Sequence, residues 1–318
     1  APPQRRRKVI VSIISEQSLP LAEPVICVDA LLALRKNIGD KLVILDASVP
    51  PVVPGYESLN DHSPAADWQI IPGARRFDYD SIFCDPNAAL PHMMPSAERF
   101  EREARALGLS QDSVIVVYDD AGLYASPRAW WMLKAMGHEQ VTVLSGGLRA
   151  WLDEGQDAQT AGAQWRAGMQ VDGKPYGLGN FAAKPQREAF INSAEVFAAL
   201  NDARSKIIDA RSAARFLAQA PEPRPGVRGG HMPGSLNLPF PAVLNGSELK
   251  PRAELETLFA ELAAKDERVI TSCGSGLTAC VLTLAAYAAG YRELSVYDGS
   301  WADWGSDVAL PVVEQTSP

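Results

Sequence analysis

An internal duplication constrains the fold of this chain more than any other feature of its sequence. Four short motifs occur in the same order in both halves of the 318 residues, and corresponding positions lie about 153 to 163 residues apart. The motifs cover residues 43–47, 71–74, 114–119 and 146–151 in the first half, and residues 207–211, 232–235, 269–273 and 299–304 in the second. A repeat of this length is the size of a domain, so the chain is predicted to form two similar domains.

Each copy alternates short β-branched segments with helical patterns. Residues 253–264 carry such a helical pattern, because apolar side chains recur there at i, i+3, i+4 and i+7. Strands that alternate with helices form βαβ units around a parallel sheet, so the predicted fold class is α/β. The predicted domains are residues 20–155 and 186–312, joined by a surface linker of residues 156–185 that is rich in Gly, Ala and Gln.

The stretch 272–280 of the second copy is where chemistry is expected. It follows a β-branched segment and precedes a long run of small apolar residues, which predicts a strand, a tight loop and the start of a buried helix. Gly274 and Gly276 let the backbone curl into a nest of N–H groups, with Cys273 at its start. Such a nest stabilises a thiolate, the nucleophilic form of cysteine. The alternative is a buried core cysteine, and the loop alone does not decide between the two.

The sequence Cys-Gly-Ser-Gly-Leu-Thr-Ala at 273–279 resembles the active-site loop of the 3-mercaptopyruvate sulfurtransferases, a branch of the rhodanese superfamily. The resemblance implies a mainly parallel five-stranded sheet in each of two tandem rhodanese-like domains. It implies that Cys273 takes sulfur from 3-mercaptopyruvate as a persulfide, releases pyruvate, and passes the sulfur to a thiol or cyanide, with thioredoxin among the candidate acceptors. The active-site loop would comprise Gly274, Ser275, Gly276, Leu277 and Thr278, and no cofactor or metal is expected.

The first copy differs at the position of the cysteine. Aligning the strands before the two loops places Asp119 opposite Cys273. A carboxylate cannot carry a persulfide, so the first domain is expected to be catalytically silent and to close one wall of the cleft.

Arginines after a strand of the second domain are candidates for binding the substrate. A carboxylate beside a carbonyl suits a planar, bidentate cation, and ligands collect at such loops in open α/β sheets. By resemblance, Arg215 and Arg224 hold the carboxylate and the keto oxygen of mercaptopyruvate. The alternative is that both are surface arginines paired with neighbouring glutamates. Structural roles are expected for Arg211 and for His231.

A proton relay of the family is not expected here. Some relatives are proposed to use a serine of the cysteine loop with a histidine and an aspartate of the first domain, and Ser275 matches the serine. The histidine is expected in a His-Ile-Pro-Gly turn, where this chain has Ile70. Asp61 is at most a remnant of the aspartate, and His92 is expected to line the wall between the domains.

Charge and hydropathy exclude several classes of partner. A net charge of −8 and a pI near 5.1 argue against a nucleic-acid partner. The basic run at residues 5–8 is predicted to be a solvated tail, and the apolar segment 9–14 is far shorter than the roughly 20 residues that span a bilayer. No membrane segment is expected.

The four cysteines form no CxxC pair and no disulfide framework, which is typical of a reducing compartment. A cytoplasmic location is therefore predicted, although a removed signal peptide would leave the same sequence. Cys27, Cys84 and Cys280 are expected to be structural, with Cys280 on the inward face of its helix. The spacing of the cysteines matches no usual zinc site.

Three alternative functions match parts of the sequence. A phosphatase of the same fold needs an arginine at the end of the cysteine loop, where this chain has Ala279. A thiosulfate sulfurtransferase is known for loops of the form Cys-Arg-Lys-Gly, where this chain has Gly274 and Ser275. Both domains could instead be rhodanese modules that only bind a partner, which the retained Cys273 disfavours.

Overall fold

The computed structural model describes residue 21 and residues 23–314, so the basic run 5–8 and the apolar segment 9–14 lie outside the described residues. The elements of the first domain are β1 (Val25–Ile26), α1 (Val28–Ile38), β2 (Leu42–Asp46), β3 (Trp68–Ile70), β4 (Arg75–Arg76), α2 (Ala97–Ala106), β5 (Val114–Tyr118), α3 (Ser126–Ala135), β6 (Val141–Leu144), α4 (Gly147–Asp153), β7 (Gln159–Ala161) and α5 (Ala163–Arg166). Those of the second are β8 (Phe190–Ile191), α6 (Ser193–Ala199), β9 (Ser205–Asp209), α7 (Ala213–Phe216), β10 (Leu236–Asn237), β11 (Leu244–Asn245), β12 (Glu248–Leu249), α8 (Arg252–Ala260), β13 (Arg268–Ser272), α9 (Ala279–Ala288), β14 (Leu294–Tyr297) and α10 (Ser300–Trp304).

The two domains share one sheet topology. The five-stranded sheets run β1-β6-β5-β2-β4 and β8-β14-β13-β9-β10, and every pair within them is parallel. The register also matches, because Tyr118 lies opposite Asp46 and Ser272 lies opposite Asp209. The next residues, Asp119 and Cys273, are therefore equivalent. The duplication and the α/β class predicted from the sequence are confirmed.

One apolar core joins the domains at α3 and α9. Eight of the ten residues of α9 are buried, so this helix is apolar on all sides, as its sequence predicts. It packs beside α3 of the first domain, where Trp130 and Leu133 are fully buried. The loop before α9 is therefore anchored on a helix that both domains enclose.

Two expectations about local structure need correction. The helix predicted over 253–264 ends at Ala260, before the turn at residues 261–262. The predicted linker 156–185 also contains ordered elements, because β7 pairs with β3 and α5 buries Trp165 completely. The irregular part of this segment packs along the first domain through individual contacts. One such contact is the hydrogen bond from Phe181 N to Leu109 O, 3.1 Å.

Within the described part of the chain, no helix combines the length and apolar character needed to cross a membrane.

Candidate active site

The loop of residues 273–278 connects β13 to α9 at the carboxyl end of the second sheet. Its turn depends on Gly276, whose φ of +84° lies in the left-handed region. A Cβ at this position would lie 2.5 Å from the carbonyl oxygen of Asp298. Backbone conformation and close packing therefore both require glycine here.

Hydrogen bonds fix both the backbone and the sulfur of Cys273, which is only 1% exposed. Its Sγ accepts a hydrogen bond from Gly276 N at 3.1 Å. Its own N–H donates to Ser300 Oγ at 3.1 Å, and its carbonyl accepts from Trp301 N at 2.9 Å. The sulfur thus has a fixed position and one backbone donor.

Further donors of the loop are free. Within residues 23–314, the N–H groups of Ser275, Leu277 and Thr278 make no hydrogen bond. Unpaired N–H groups at a helix start favour negative charge. The loop can therefore stabilise an anion beside the sulfur.

A cavity of about 270 Å³ between the two domains reaches Cys273, and we call it the cysteine cavity. From the second domain it is lined by Arg215, Arg224, Cys273, Gly274, Ser275, Leu277 and Thr278. The structure therefore brings together every predicted site residue except Gly276, which contacts the sulfur through its N–H instead. A larger open cleft, of about 580 Å³, is lined by Ala121 and Arg149 but by no cysteine.

The first domain supplies the opposite wall of the cysteine cavity. Residues 49, 50, 52 and 53 make it apolar, while Asp80, His92 and Tyr124 make it polar. Tyr124 Oη accepts a hydrogen bond from Val52 N at 3.3 Å. Burial raises the pKa of Tyr124 to about 12, so its hydroxyl stays protonated as a donor at neutral pH.

Arg215 is oriented by a carboxylate that the sequence did not single out. Its Nη2 lies 2.6 Å from Glu222 Oε2, and its Nε donates to Glu222 Oε1 at 3.2 Å. The guanidinium lies against Gly274, since a Cβ there would come within 3.0 Å of its Nη2. Arg215 is thus paired with a neighbouring glutamate, and it also lines the cavity. Arg224 is exposed and has no ion pair within the described chain.

Arg211 and His231 have the structural roles expected of them. Arg211 is buried and binds both carboxylate oxygens of Asp209 through Nε and Nη2, at 2.7 to 3.1 Å. His231 is buried, lies 2.7 Å from Phe216 O through Nδ1, and stacks on the ring of Phe216. Neither residue lines the cysteine cavity.

The other cysteines divide into two groups. Cys84 and Cys280 are buried as expected, whereas Cys27 is exposed at the start of α1, so the structural interpretation of Cys27 is wrong. Burial raises the pKa of Cys280 to about 12, which keeps this thiol protonated and unreactive.

A histidine of the first domain lies at the cysteine cavity, as expected of His92, although Ile70 occupies the position of the family's relay histidine. His92 Nδ1 is hydrogen-bonded to Asp80 Oδ1, and both side chains line the cysteine cavity. Burial alone would raise the pKa of Asp80, but the hydrogen bond and charge of His92 outweigh it and lower the pKa. Ile70 is fully buried in the core instead. Asp61 is exposed and accepts a hydrogen bond from Ser63 N.

Arg128 of the first domain reaches into the second and joins the parts of the site. It is fully buried, and its Nη2 lies 2.8 Å from Asp298 Oδ1. Its Nη1 donates to Gly276 O at 3.0 Å, and its Nη2 also donates to His92 O. One guanidinium therefore fixes the cysteine loop, the histidine segment and the domain interface. The sequence carried no local signal for this, because the partners lie 36 to 170 residues away.

Known proteins share both the sequence pattern and the fold. The pattern of the Rhodanese-like domain matches residues 31–154 and 193–307. The 3-mercaptopyruvate sulfurtransferase of Escherichia coli (strain K12) is 38% identical over 88% of this chain and 95% of its own length. Thiosulfate/3-mercaptopyruvate sulfurtransferase 1, mitochondrial, of Arabidopsis thaliana is 36% identical over 95% of this chain and 82% of its own.

A solved structure agrees with these relatives. The crystal structure of SseA from Escherichia coli, described as showing the rhodanese fold and catalytic mechanism of 3-mercaptopyruvate sulfotransferases, superposes with a TM-score of 0.71 and 32% identity. It covers 88% of this chain and 99% of its own. The chain therefore belongs to the rhodanese family of sulfurtransferases, in its tandem-domain 3-mercaptopyruvate sulfurtransferase branch.

Proposed function

We propose that this protein moves sulfur from 3-mercaptopyruvate through a persulfide on Cys273 to a thiol or cyanide acceptor, with release of pyruvate. The observation that carries the proposal is the shared cavity, in which the Cys273 sulfur, Arg215 and Arg224 face the same 270 Å³. A nucleophile and two guanidinium groups that line one cavity suit a small donor that carries sulfur at one end and a carboxylate at the other. The first domain is proposed to be catalytically silent, because Asp119 replaces the cysteine there.

The proposed reaction has two steps. The Cys273 thiolate attacks the sulfur of mercaptopyruvate, an S–S bond forms, and the C–S bond breaks with its electron pair moving to carbon. The fragment that leaves is the enolate of pyruvate, which then takes up a proton. The free N–H groups of the loop and the two arginines stabilise the negative charge that develops in this step.

The second step restores the enzyme. An acceptor thiolate attacks the outer sulfur, the S–S bond to Cys273 breaks, and its electron pair returns to the Cys273 thiolate. Cyanide gives thiocyanate by the same displacement. A dithiol protein of the thioredoxin type is a proposed physiological acceptor, because the mouth of the cavity includes the exposed, apolar Val52.

The pair of His92 and Asp80 is proposed to transfer protons in these steps. Both line the cavity with Ser275, and Asp80 orients the imidazole through Nδ1. The other ring nitrogen is then free to exchange a proton with the Ser275 hydroxyl or with the substrate. His92→Gln is expected to lower kcat about tenfold or more, because the proton exchange is lost. Unchanged kcat would exclude the relay.

The preference for 3-mercaptopyruvate or thiosulfate as sulfur donor tests the proposed function. Thiosulfate is a small dianion, and this loop offers it N–H groups and a hydroxyl but no cation at Gly274 or Ser275. We expect kcat/KM for 3-mercaptopyruvate to exceed that for thiosulfate by at least about tenfold, or about 1.4 kcal/mol. Initial rates with cyanide, with pyruvate and thiocyanate formed in equal amounts, would support the proposal. Equal or reversed preference would favour a thiosulfate sulfurtransferase, and no turnover of either donor would favour a binding module.

The proposed location is the cytoplasm. All four cysteines are free thiols, which suits a reducing compartment and thiol acceptors.

A further inference from the structure

The carboxylate of Glu222 lies where it controls the charge that a donor meets. It is buried, with 3% of its side chain exposed, and it bridges two arginines. Its Oε2 lies 2.6 Å from Arg215 Nη2, and its Oε1 lies 2.8 Å from Arg211 Nη1.

Of the two arginines, Arg215 is the one whose charge Glu222 neutralises. Arg211 has its own counterion, because Asp209 binds its guanidinium through both carboxylate oxygens. Arg215 has no other acidic partner within residues 23–314. Of this group of four charged residues, two are positive and two negative, so it has no net charge.

The charges that face the cysteine cavity are therefore few. Arg224 is exposed and unpaired within the described chain, and on the opposite wall Asp80 pairs with His92. Arg215 can still donate hydrogen bonds to a ligand, but it adds no net positive charge. A cavity of this kind suits a monoanion better than a dianion.

We infer that Glu222 determines donor choice, by orienting Arg215 while cancelling its charge so that a monoanionic α-keto thiol is favoured over a dianionic donor. This inference rests on the proposed function and assigns a determinant of specificity to the same site. Glu222 acts through Arg215 and is a positioning residue, since it does not line the cavity.

The test is Glu222→Gln, which keeps the shape of the side chain and removes its charge. A dianion gains twice the Coulomb attraction that a monoanion gains, so kcat/KM for thiosulfate is expected to rise about tenfold. The value for mercaptopyruvate is expected to stay level or fall, because the amide orients Arg215 less firmly. Glu256→Gln is the matched control, since Glu256 forms an exposed ion pair with Arg252 on α8. A fall for both donors, as a purely structural role would give, overturns the inference.

A binding measurement separates this inference from the proposed function. Inorganic sulfate is a dianion that cannot donate sulfane sulfur, and its protection of Cys273 against alkylation can be followed by peptide mass at constant ionic strength. The concentration that halves the alkylation rate is expected to fall about tenfold in Glu222→Gln. Glu222→Asp, which keeps the charge, is expected to protect as the wild type does. Equal protection in wild type and Glu222→Gln would contradict the inference even if mercaptopyruvate is the donor.

Discussion

The loops after β5 and β13 occupy equivalent places at the ends of their sheets but satisfy their N–H groups in opposite ways. In both loops the carbonyl of the first residue accepts a hydrogen bond from a later helix. The donor is Leu148 N at 3.1 Å in the first domain and Trp301 N at 2.9 Å in the second. In the first loop the carboxylate of Asp119 accepts four backbone hydrogen bonds of 2.7 to 3.1 Å. The donors are the N–H groups of Ala121, Tyr124, Ala125 and Ser126.

In the second loop the nest stays largely open. Cys273 Sγ accepts one hydrogen bond, from Gly276 N, while other N–H groups of the loop have no partner in the described chain. A nest of this kind favours an anion, which the first domain supplies from its own side chain. In the second domain the loop N–H groups remain available for the charge that would develop in the proposed reaction. The exchange of one residue, Asp119 for Cys273, therefore decides whether the loop N–H groups bind the chain's own carboxylate or are available to a ligand.

The largest expected effect follows directly from that difference. Cys273→Ser removes the only side chain of the two loops that can form a persulfide, so kcat is expected to fall at least about a thousandfold. Asp119→Asn, the matched change in the first loop, is expected to leave kcat within about threefold. Both rates are measured with mercaptopyruvate and cyanide. Substantial turnover by Cys273→Ser, or a comparable loss in Asp119→Asn, would show that the two loops are not divided in this way.

Stability measurements should reveal how Arg128, on α3 of the first domain, supports the loop of the second. Arg128→Met leaves Asp298 buried without its counterion, which is expected to lower the free energy of unfolding by about 3–5 kcal/mol. The double variant Arg128→Met/Asp298→Asn is expected to recover part of this loss, because no unpaired charge remains. Urea denaturation measures both. A loss below about 1 kcal/mol in the single variant would mean that Arg128 does not couple the domains.

Replacing Arg215 and replacing Arg224 should lower kcat/KM by different amounts. Arg215→Ala removes a cation held in place by Glu222, and kcat/KM for mercaptopyruvate is expected to fall about a hundredfold. Arg224→Ala removes an exposed and less constrained cation, so about a tenfold loss is expected. Arg252→Ala, on the exposed face of α8, is the control and should change nothing. Wild-type kcat/KM in both site variants would move the donor site elsewhere.

The smallest expected effect is a pH dependence of the free energy of unfolding that arises from Asp119 in the first loop. Burial raises the pKa of Asp119 to about 6, although its backbone hydrogen bonds oppose this, against 3.8 as the usual value. The folded state thus binds the proton more tightly than the unfolded state does. The resulting contribution to the free energy of unfolding is fully present below pH 4 and is lost as the pH rises through 6. The free energy of unfolding of Asp119→Asn relative to wild type should therefore increase by about 2–3 kcal/mol from pH 4 to pH 7. A constant difference would contradict a raised pKa.

The sequence predicted the features that repeat or that lie close together along the chain. The duplication gave the two α/β domains, and the glycines around Cys273 gave the loop between a strand and a buried helix. The equivalence of Asp119 and Cys273 followed from aligning the two strands, and the sheet register confirms it.

The remaining contacts depend on packing between distant segments. Arg128 meets Asp298 across 170 residues, and no local pattern distinguishes this arginine from a surface one. Asp80 and His92 are 12 residues apart on irregular chain, and the left-handed backbone of His92, at φ 57°, helps to bring them together. Glu222 is close to Arg215 in sequence, but its burial and its second partner Arg211 become visible only in the folded chain.

The location of the transferred sulfur tests the role of Cys273 most directly. The protein is treated with 3-mercaptopyruvate without an acceptor, and its intact mass and peptide masses are measured. One added sulfur is expected, on the peptide that contains Cys273 and on neither of those with Cys27 and Cys84. Cys273→Ser is expected to gain none. No added sulfur in the wild type, or sulfur retained in Cys273→Ser, would contradict the claim that the open loop of the second domain carries the reaction.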